Sequence, residues 1–125
     1  MSTDPHQTIA AIIDIWNGQS TDRLPSLLAP GYRGHMLGVA NGERADAGYP
    51  AAIERYRDAN PGVVFSIVDQ FNAGDRWVSR LEAHRPAAGE VAESVCNGIN
   101  ISRVAPDGRL AEEWAIWTPW RAAAG

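Results

Sequence analysis

The strongest constraint on this chain is a series of β-type runs in its last third, each bounded by a turn signal. Trp77 to His84, Ser94 to Val104 and Leu110 to Trp117 are rich in β-branched and aromatic residues. Gly74-Asp75-Arg76 opens the series, Arg85 to Gly89 is a loop, and Pro106-Asp107-Gly108-Arg109 carries a hairpin dipeptide. A further strand, Val63 to Phe71, follows the breaker Asn60-Pro61-Gly62. A bulge is expected at Asn97-Gly98 in the long third strand. Strands linked this tightly pair with their sequence neighbours and form an antiparallel meander.

The first half reads differently. Ile9, Ile12, Ile13 and Trp16 are spaced as one face of a helix over Thr8–Trp16, which Asn17-Gly18 stops. Met1 to Pro5 reads as a loose tail. Thr21-Asp22 caps a short second helix whose Leu24, Leu27 and Leu28 face inward. Tyr32 to Ala40 has little periodicity and reads as a connection, and Asn41 to Gly48 as a polar loop. Tyr49 to Ala59 predicts a third helix, with Pro50 at a permitted early position. Helices followed by a meander imply an α+β domain with one helical layer against a curved antiparallel sheet. Residues 1–125 are expected to form a single domain. A cone of this kind is either filled or holds a pocket between helices and sheet.

Composition narrows the partners. A net charge of −4 argues against nucleic acid, since phosphate binding needs a basic patch. All eleven cations are arginine, which removes lysine Schiff-base chemistry. One cysteine, Cys96, allows neither an intramolecular disulfide nor a cysteine-cluster metal site, and three scattered histidines make no metal motif. No apolar stretch approaches the ~20 residues of a membrane span, and no signal peptide is visible, so a cytoplasmic protein without a membrane partner is expected.

Polar groups sit inside the strands rather than between them. Alternation puts Val78, Arg80, Glu82 and His84 on one face of the second strand, and Trp77, Ser79, Leu81 and Ala83 on the other. On the last strand it puts Leu110, Glu112, Trp114, Ile116 and Thr118 together, opposite Ala111, Glu113, Ala115 and Trp117. Asn97 and Asn100 would need partners if buried. Such strands suit the wall of a ligand-holding sheet, or a solvated outer face.

In this layout Trp16-Asn17-Gly18, Pro30-Gly31-Tyr32-Arg33-Gly34-His35, Phe65-Ser66-Ile67-Val68-Asp69, Gly74 to Arg80, Gly98 to Arg103 and Asp107 to Trp114 occur in an order that resembles the SnoaL-like branch of the NTF2-like superfamily. The resemblance implies an NTF2-like cone and a cofactor-free site. It also implies a polyketide-cyclase-like or ketosteroid-isomerase-like activity on a hydrophobic small molecule. It implies a pocket histidine, here His35, and a cavity-facing last strand carrying Trp114. The acid expected four residues after that tryptophan is replaced by Thr118.

The resulting expectation is proton transfer next to a carbonyl, without cofactor or metal. His35 would be the acid/base. Asn100, Tyr32 or Thr118 would hold the oxyanion, and Trp16, Tyr56 and Trp114 would shape the pocket. Arg80 is either a pocket residue or a structural ion pair. With Glu82 it also resembles the Arg-x-acid arrangement of limonene-epoxide-hydrolase-like proteins, although the second carboxylate is missing at Thr118. A binding protein without catalysis is the alternative. A homodimer is expected under every reading, with Trp77, Trp117 and Trp120 supplying apolar area.

Overall fold

The structure is a computed structural model that describes residues 4–38, 43–45 and 48–123. Helix α1 is Pro5–Trp16, capped by the side chain of Asp4, which accepts from the His6 amide. It begins before the expected Thr8, because Asp4 followed by Pro5 makes a strong start. Residues 1–3 of the expected tail lie outside the described residues. A 3₁₀ turn over Thr21–Arg23, capped by Ser20, leads into the one-turn α2 at Leu24–Leu27. Helix α3 is Tyr49–Ala59, as the sequence predicts.

The strands are β1 at Leu28–Met36, β2 at Glu43–Ala45, β3 at Val64–Ala73, β4 at Arg76–Arg85, β5 at Ser94–Val104, β6 at Leu110–Trp117 and β7 at Arg121–Ala122. Their order is β2-β1-β6-β5-β4-β3, with β7 pairing β5. The segment read as a connection after Gly31 is therefore part of a strand. Pro30, Gly31 and Gly34 break its apolar pattern, and its register shifts between Leu28 and Arg33. The expected polar loop over Asn41–Gly48 lies partly outside the described residues, and its middle is β2.

The sheet is mixed rather than wholly antiparallel. The chain crosses from β1 through β2 and α3 to the far edge, then returns strand by strand until β6 lies parallel to β1. Chain-neighbour turns determine only the antiparallel part. The bulges also differ from expectation. The β4–β5 ladder runs through Asn97 and Gly98 without a shift, and the β5–β6 ladder starts in register at Gly98. The pairing slips instead between Ile67 and Asp69 on β3, and between Arg103 and Val104 on β5, which leaves Ala111 as an extra residue on β6. Such bulges bend the strands and curve the sheet around the helices.

Two apolar clusters fill the space between helices and sheet. One gathers Ile12, Ile15, Leu24, Leu27, Tyr32, Tyr49, Ile53 and Leu110. The other gathers Val63, Phe65, Ala83 and Cys96, and Trp16 packs against both. Asn17 fixes α1 to the sheet: its amide donates to the Phe65 carbonyl at 2.9 Å and accepts from the Phe65 N–H at 2.6 Å. Among the described residues no helix is long and apolar enough to cross a membrane.

Candidate functional site

A cavity of about 180 Å³ lies between the helical layer and the inner face of the sheet. Trp16, at the end of α1, anchors one side. Its indole N–H donates to the Tyr49 hydroxyl at 3.1 Å. Its ring meets Tyr56 at 5.6 Å and Phe65 at 5.5 Å, both edge to face, the arrangement that the ring quadrupole favours. Phe65 in turn meets Trp117 edge to face at 5.6 Å. Trp117 lies over Gly98, its partner across the β5–β6 ladder. A Cβ at residue 98 would fall 2.4 Å from the indole Cδ2, so only glycine lets the ring lie flat there.

Near the mouth, Trp120 packs beneath the Arg85 guanidinium, whose Cζ lies 4.4 Å from the ring centroid. Burial, above all other influences, pushes the Tyr56 phenol and the Cys96 thiol above their ordinary pKa values. Both therefore stay neutral near pH 7. Nearby Trp120 and Arg85 oppose the rise at Tyr56 without cancelling it.

Among the described lining residues, one carboxylate interrupts the largely apolar wall. Glu113 on β6 lines the cavity and is 3% exposed. The Tyr32 hydroxyl donates to its Oε1, and Asn100 Nδ2 donates to its Oε2 at 3.0 Å. A buried charge is costly unless hydrogen-bonded, and two donors on two oxygens suit a carboxylate. Tyr32 is itself held by a parallel stack on Tyr49, with centroids 5.3 Å apart. Asn100 Oδ1 is buried and finds no partner among the described residues.

Of the residues selected from sequence, Trp16, Tyr56, Asn100 and Thr118 line the cavity. Tyr32 does not line it but reaches it through Glu113. The Thr118 hydroxyl oxygen accepts from the Asn97 N–H at 3.0 Å, and the Thr118 N–H donates to the Asn97 carbonyl at 2.8 Å, which extends the ladder past the end of β6.

Three expectations of orientation are corrected. His35 pairs with Trp114, next to the pair Gly34–Glu113. Successive residues alternate sides, so with Glu113 inward both His35 and Trp114 lie on the outer face of the sheet. There the His35 ring stacks on Trp114 at 5.5 Å, and its Nε2 meets Glu112 Oε2 at 2.8 Å. Arg103 Nη2 donates to the other Glu112 oxygen at 3.2 Å, and the Arg76 guanidinium sits 5.1 Å from the Trp114 centroid. Arg80 and Glu82 are exposed on that same outer face, so the Arg-x-acid pair does not face the cavity.

The expected aromatics of the outer face are also redistributed. Trp117 and Trp120 line the cavity, and Trp77 lies against His6 at 6.0 Å. Outer-face apolar area comes instead from Phe71, Ile99 and Ile116, all exposed, beside Trp114.

The family model of the SnoaL-like domain matches residues 9–113. The chain belongs to the SnoaL-like family. Its fold is similar to that of IdmH from Streptomyces antibioticus, a proposed polyketide cyclase, at 22% identity and TM-score 0.79, with 92% of each chain covered. It is similar to a proposed polyketide cyclase from Acidithiobacillus ferrooxidans, at 20% identity and TM-score 0.77, covering 94% of this chain and 89% of that one. A proposed SnoaL-like isomerase from Agrobacterium tumefaciens follows at 19% identity and TM-score 0.72, with 92% and 98% covered. No protein of curated function matches the sequence. These likenesses bear out the NTF2-like α+β cone.

Sequence reasoning missed Glu113 as a site residue. The signal was the consecutive pair Glu112-Glu113: on a strand, two adjacent glutamates put one carboxylate on each face, whichever face is buried.

Proposed function

We propose that this SnoaL-like protein is a cofactor-independent enzyme of the isomerase or cyclase type, moving a proton next to a carbonyl in a hydrophobic small molecule. The observation that carries this reading is the buried Glu113 carboxylate in the wall of a largely apolar cavity. Glu113 takes the role that the sequence suggested for His35. Its carboxylate accepts a proton from the carbon beside the carbonyl, giving an enolate. It then returns the proton at a second position, or the enolate carbon attacks an electrophile within the same molecule and closes a ring. Tyr32 and Asn100 hold the carboxylate in place. The Tyr56 hydroxyl, kept protonated by burial, is the donor for the enolate oxygen.

Deuterium exchange beside the carbonyl of β-tetralone, followed by NMR in D₂O, tests this. Wild-type protein is expected to accelerate exchange, and Glu113→Gln to lose about 10²–10⁴-fold of that acceleration. Equal exchange by the two proteins would sink the assignment. Thr118 in place of an acid favours a second reading, binding without turnover, which predicts β-tetralone binding with no acceleration at all.

We also infer a homodimer through the outer face of the sheet. Ile99 and Ile116 are 48% and 51% exposed at adjacent ladder positions, an apolar area typical of an interface. Sedimentation at micromolar concentration should give a dimer, and Ile116→Glu a monomer. A wild-type monomer under those conditions contradicts this reading.

A further inference from the structure

We propose that Trp117 sets the size limit of this site: its indole fills the compartment over Gly98, so the cavity takes a ligand of one or two fused rings, and without the indole it takes three. The proposal rests on the reading that the cavity holds the substrate, and it adds that substrate's size class and the residue that enforces it.

The register places the pieces. Glu113, Ala115 and Trp117 line the cavity in turn along the inner face of β6. Across the ladder Ala115 pairs with Asn100 and Trp117 with Gly98, and Gly98 pairs with Leu81 on β4. Between Glu113 and Trp117 the strand runs for about 13 Å. Ala115 contributes only a methyl group to that floor. Beyond it the floor would fall away at Gly98, which has no side chain. The indole occupies this space: its Cδ2, Cε2 and Cε3 lie 2.4, 2.5 and 2.8 Å from the place a Cβ on residue 98 would take. What the side chain fills has the volume of two fused rings, because an indole is two fused rings.

Volume then decides the ligand. An engineered apolar cavity of ~150 Å³ in another protein accepts benzene. The cavity here is about 180 Å³ with Trp117 in place, so it encloses one ring and much of a second.

A wall limits size only if it does not yield. One face of the indole rests on the Gly98 backbone. Phe65 meets it edge to face at 5.6 Å, and Phe65 is itself held by Trp16 at 5.5 Å and Tyr56 at 5.9 Å. Trp16 in turn bonds the Tyr49 hydroxyl. Covering a strand glycine with a cross-strand aromatic stabilises a sheet, and this accounts for the stacking on Gly98. Such a cover has no need to line a cavity, as Trp117 does.

Equilibrium dialysis with three ketones tests the limit: β-tetralone has two rings, anthrone three and estrone four. Wild-type protein is expected to bind β-tetralone at least about tenfold tighter than anthrone or estrone, the penalty for forcing extra rings against a packed wall. In Trp117→Ala, anthrone should gain at least about tenfold, while β-tetralone loses affinity because it now borders an empty space. A general loosening of the fold would weaken both. Trp117→Phe keeps a ring over Gly98 and should show the same opposed changes to a smaller degree, which decides the matter if the alanine variant does not fold. Indole added to Trp117→Ala should fill the vacated space, raise the melting temperature and displace anthrone. Wild-type binding of anthrone or estrone as tight as that of β-tetralone overturns the limit, with no variant needed. An unchanged size preference in both variants overturns its assignment to Trp117. Binding of none of the three ketones by wild-type protein overturns the cavity reading and this limit with it. Failure of the proton-transfer reading is separate: it shows as unchanged exchange in Glu113→Gln while the size order holds.

Discussion

Glu112 and Glu113 are consecutive on β6 and point to opposite sides of the sheet. Glu112 meets His35 and Arg103 on the outer face, while Glu113 meets Tyr32 and Asn100 inside. One peptide bond therefore separates a partly solvated ion cluster from a buried carboxylate.

The outer member sets an acid response. The His35 hydrogen bond, followed by Arg103, holds the Glu112 carboxyl below its ordinary value of 4.5. A depressed folded-state pKa contributes stability that is present above the unfolded value and lost as pH falls through the folded one. Wild-type protein should thus melt higher than Glu112→Gln at pH 7, and the gap should close as pH falls below the ordinary carboxyl value and through the lowered one. Thermal unfolding across that range checks this. A gap that stays constant with pH argues against it.

Tyr32→Phe removes one donor from a buried carboxylate and leaves the ring stack on Tyr49 intact. Hydrogen bonds to charged groups contribute ~1.5–3 kcal/mol, so denaturant unfolding should show a loss of that order. β-Tetralone exchange should slow as well, because the carboxylate is no longer fixed at both oxygens. Full stability and full exchange in this variant would mean that the hydroxyl holds nothing.

Gly98→Ala places a methyl group where the Trp117 indole lies. Overpacking of this kind costs ~1–3 kcal/mol and must move the ring toward the cavity. Lower stability and weaker β-tetralone binding are expected together. Combining it with Trp117→Leu should restore part of the stability. A variant indistinguishable from wild type by both calorimetry and unfolding would show that the indole moves freely.

Asn17→Ala deletes both bonds between the end of α1 and the Phe65 backbone. A loss of ~1–3 kcal/mol is expected from the orphaned amide and carbonyl. Because Trp16 precedes Asn17, the Trp16 wall should loosen too, visible as a red-shifted tryptophan emission. Unchanged stability and emission would mean that packing alone positions α1.

Local signals made the helices and the meander legible. Apolar spacing in α1, the Tyr49-Pro50 start of α3 and the Asp107-Gly108 turn act over a few residues, and Tyr49–Ala59 and Leu110–Trp117 agree with the structure to the residue. Strand β1 was not legible. Its partner β6 lies far along the chain, and its glycines and register shift erase the alternation. The outward turn of His35 follows from that same pairing, so the histidine suggested by resemblance and the carboxylate that lies in the cavity exchanged places.

The sequence by itself determined the α+β order, the aromatic supply for a cavity, and the fact that one of two adjacent glutamates faces inward, since these depend on local geometry and side-chain period. Only the tertiary structure decided which face of β6 is inside. That choice rests on the long-range pairing of β1 with β6 and on the bulge at Ala111, neither of which has a local cause. With period two, a single choice of face moves every side chain on the strand, and so decides whether His35 or Glu113 lies in the cavity.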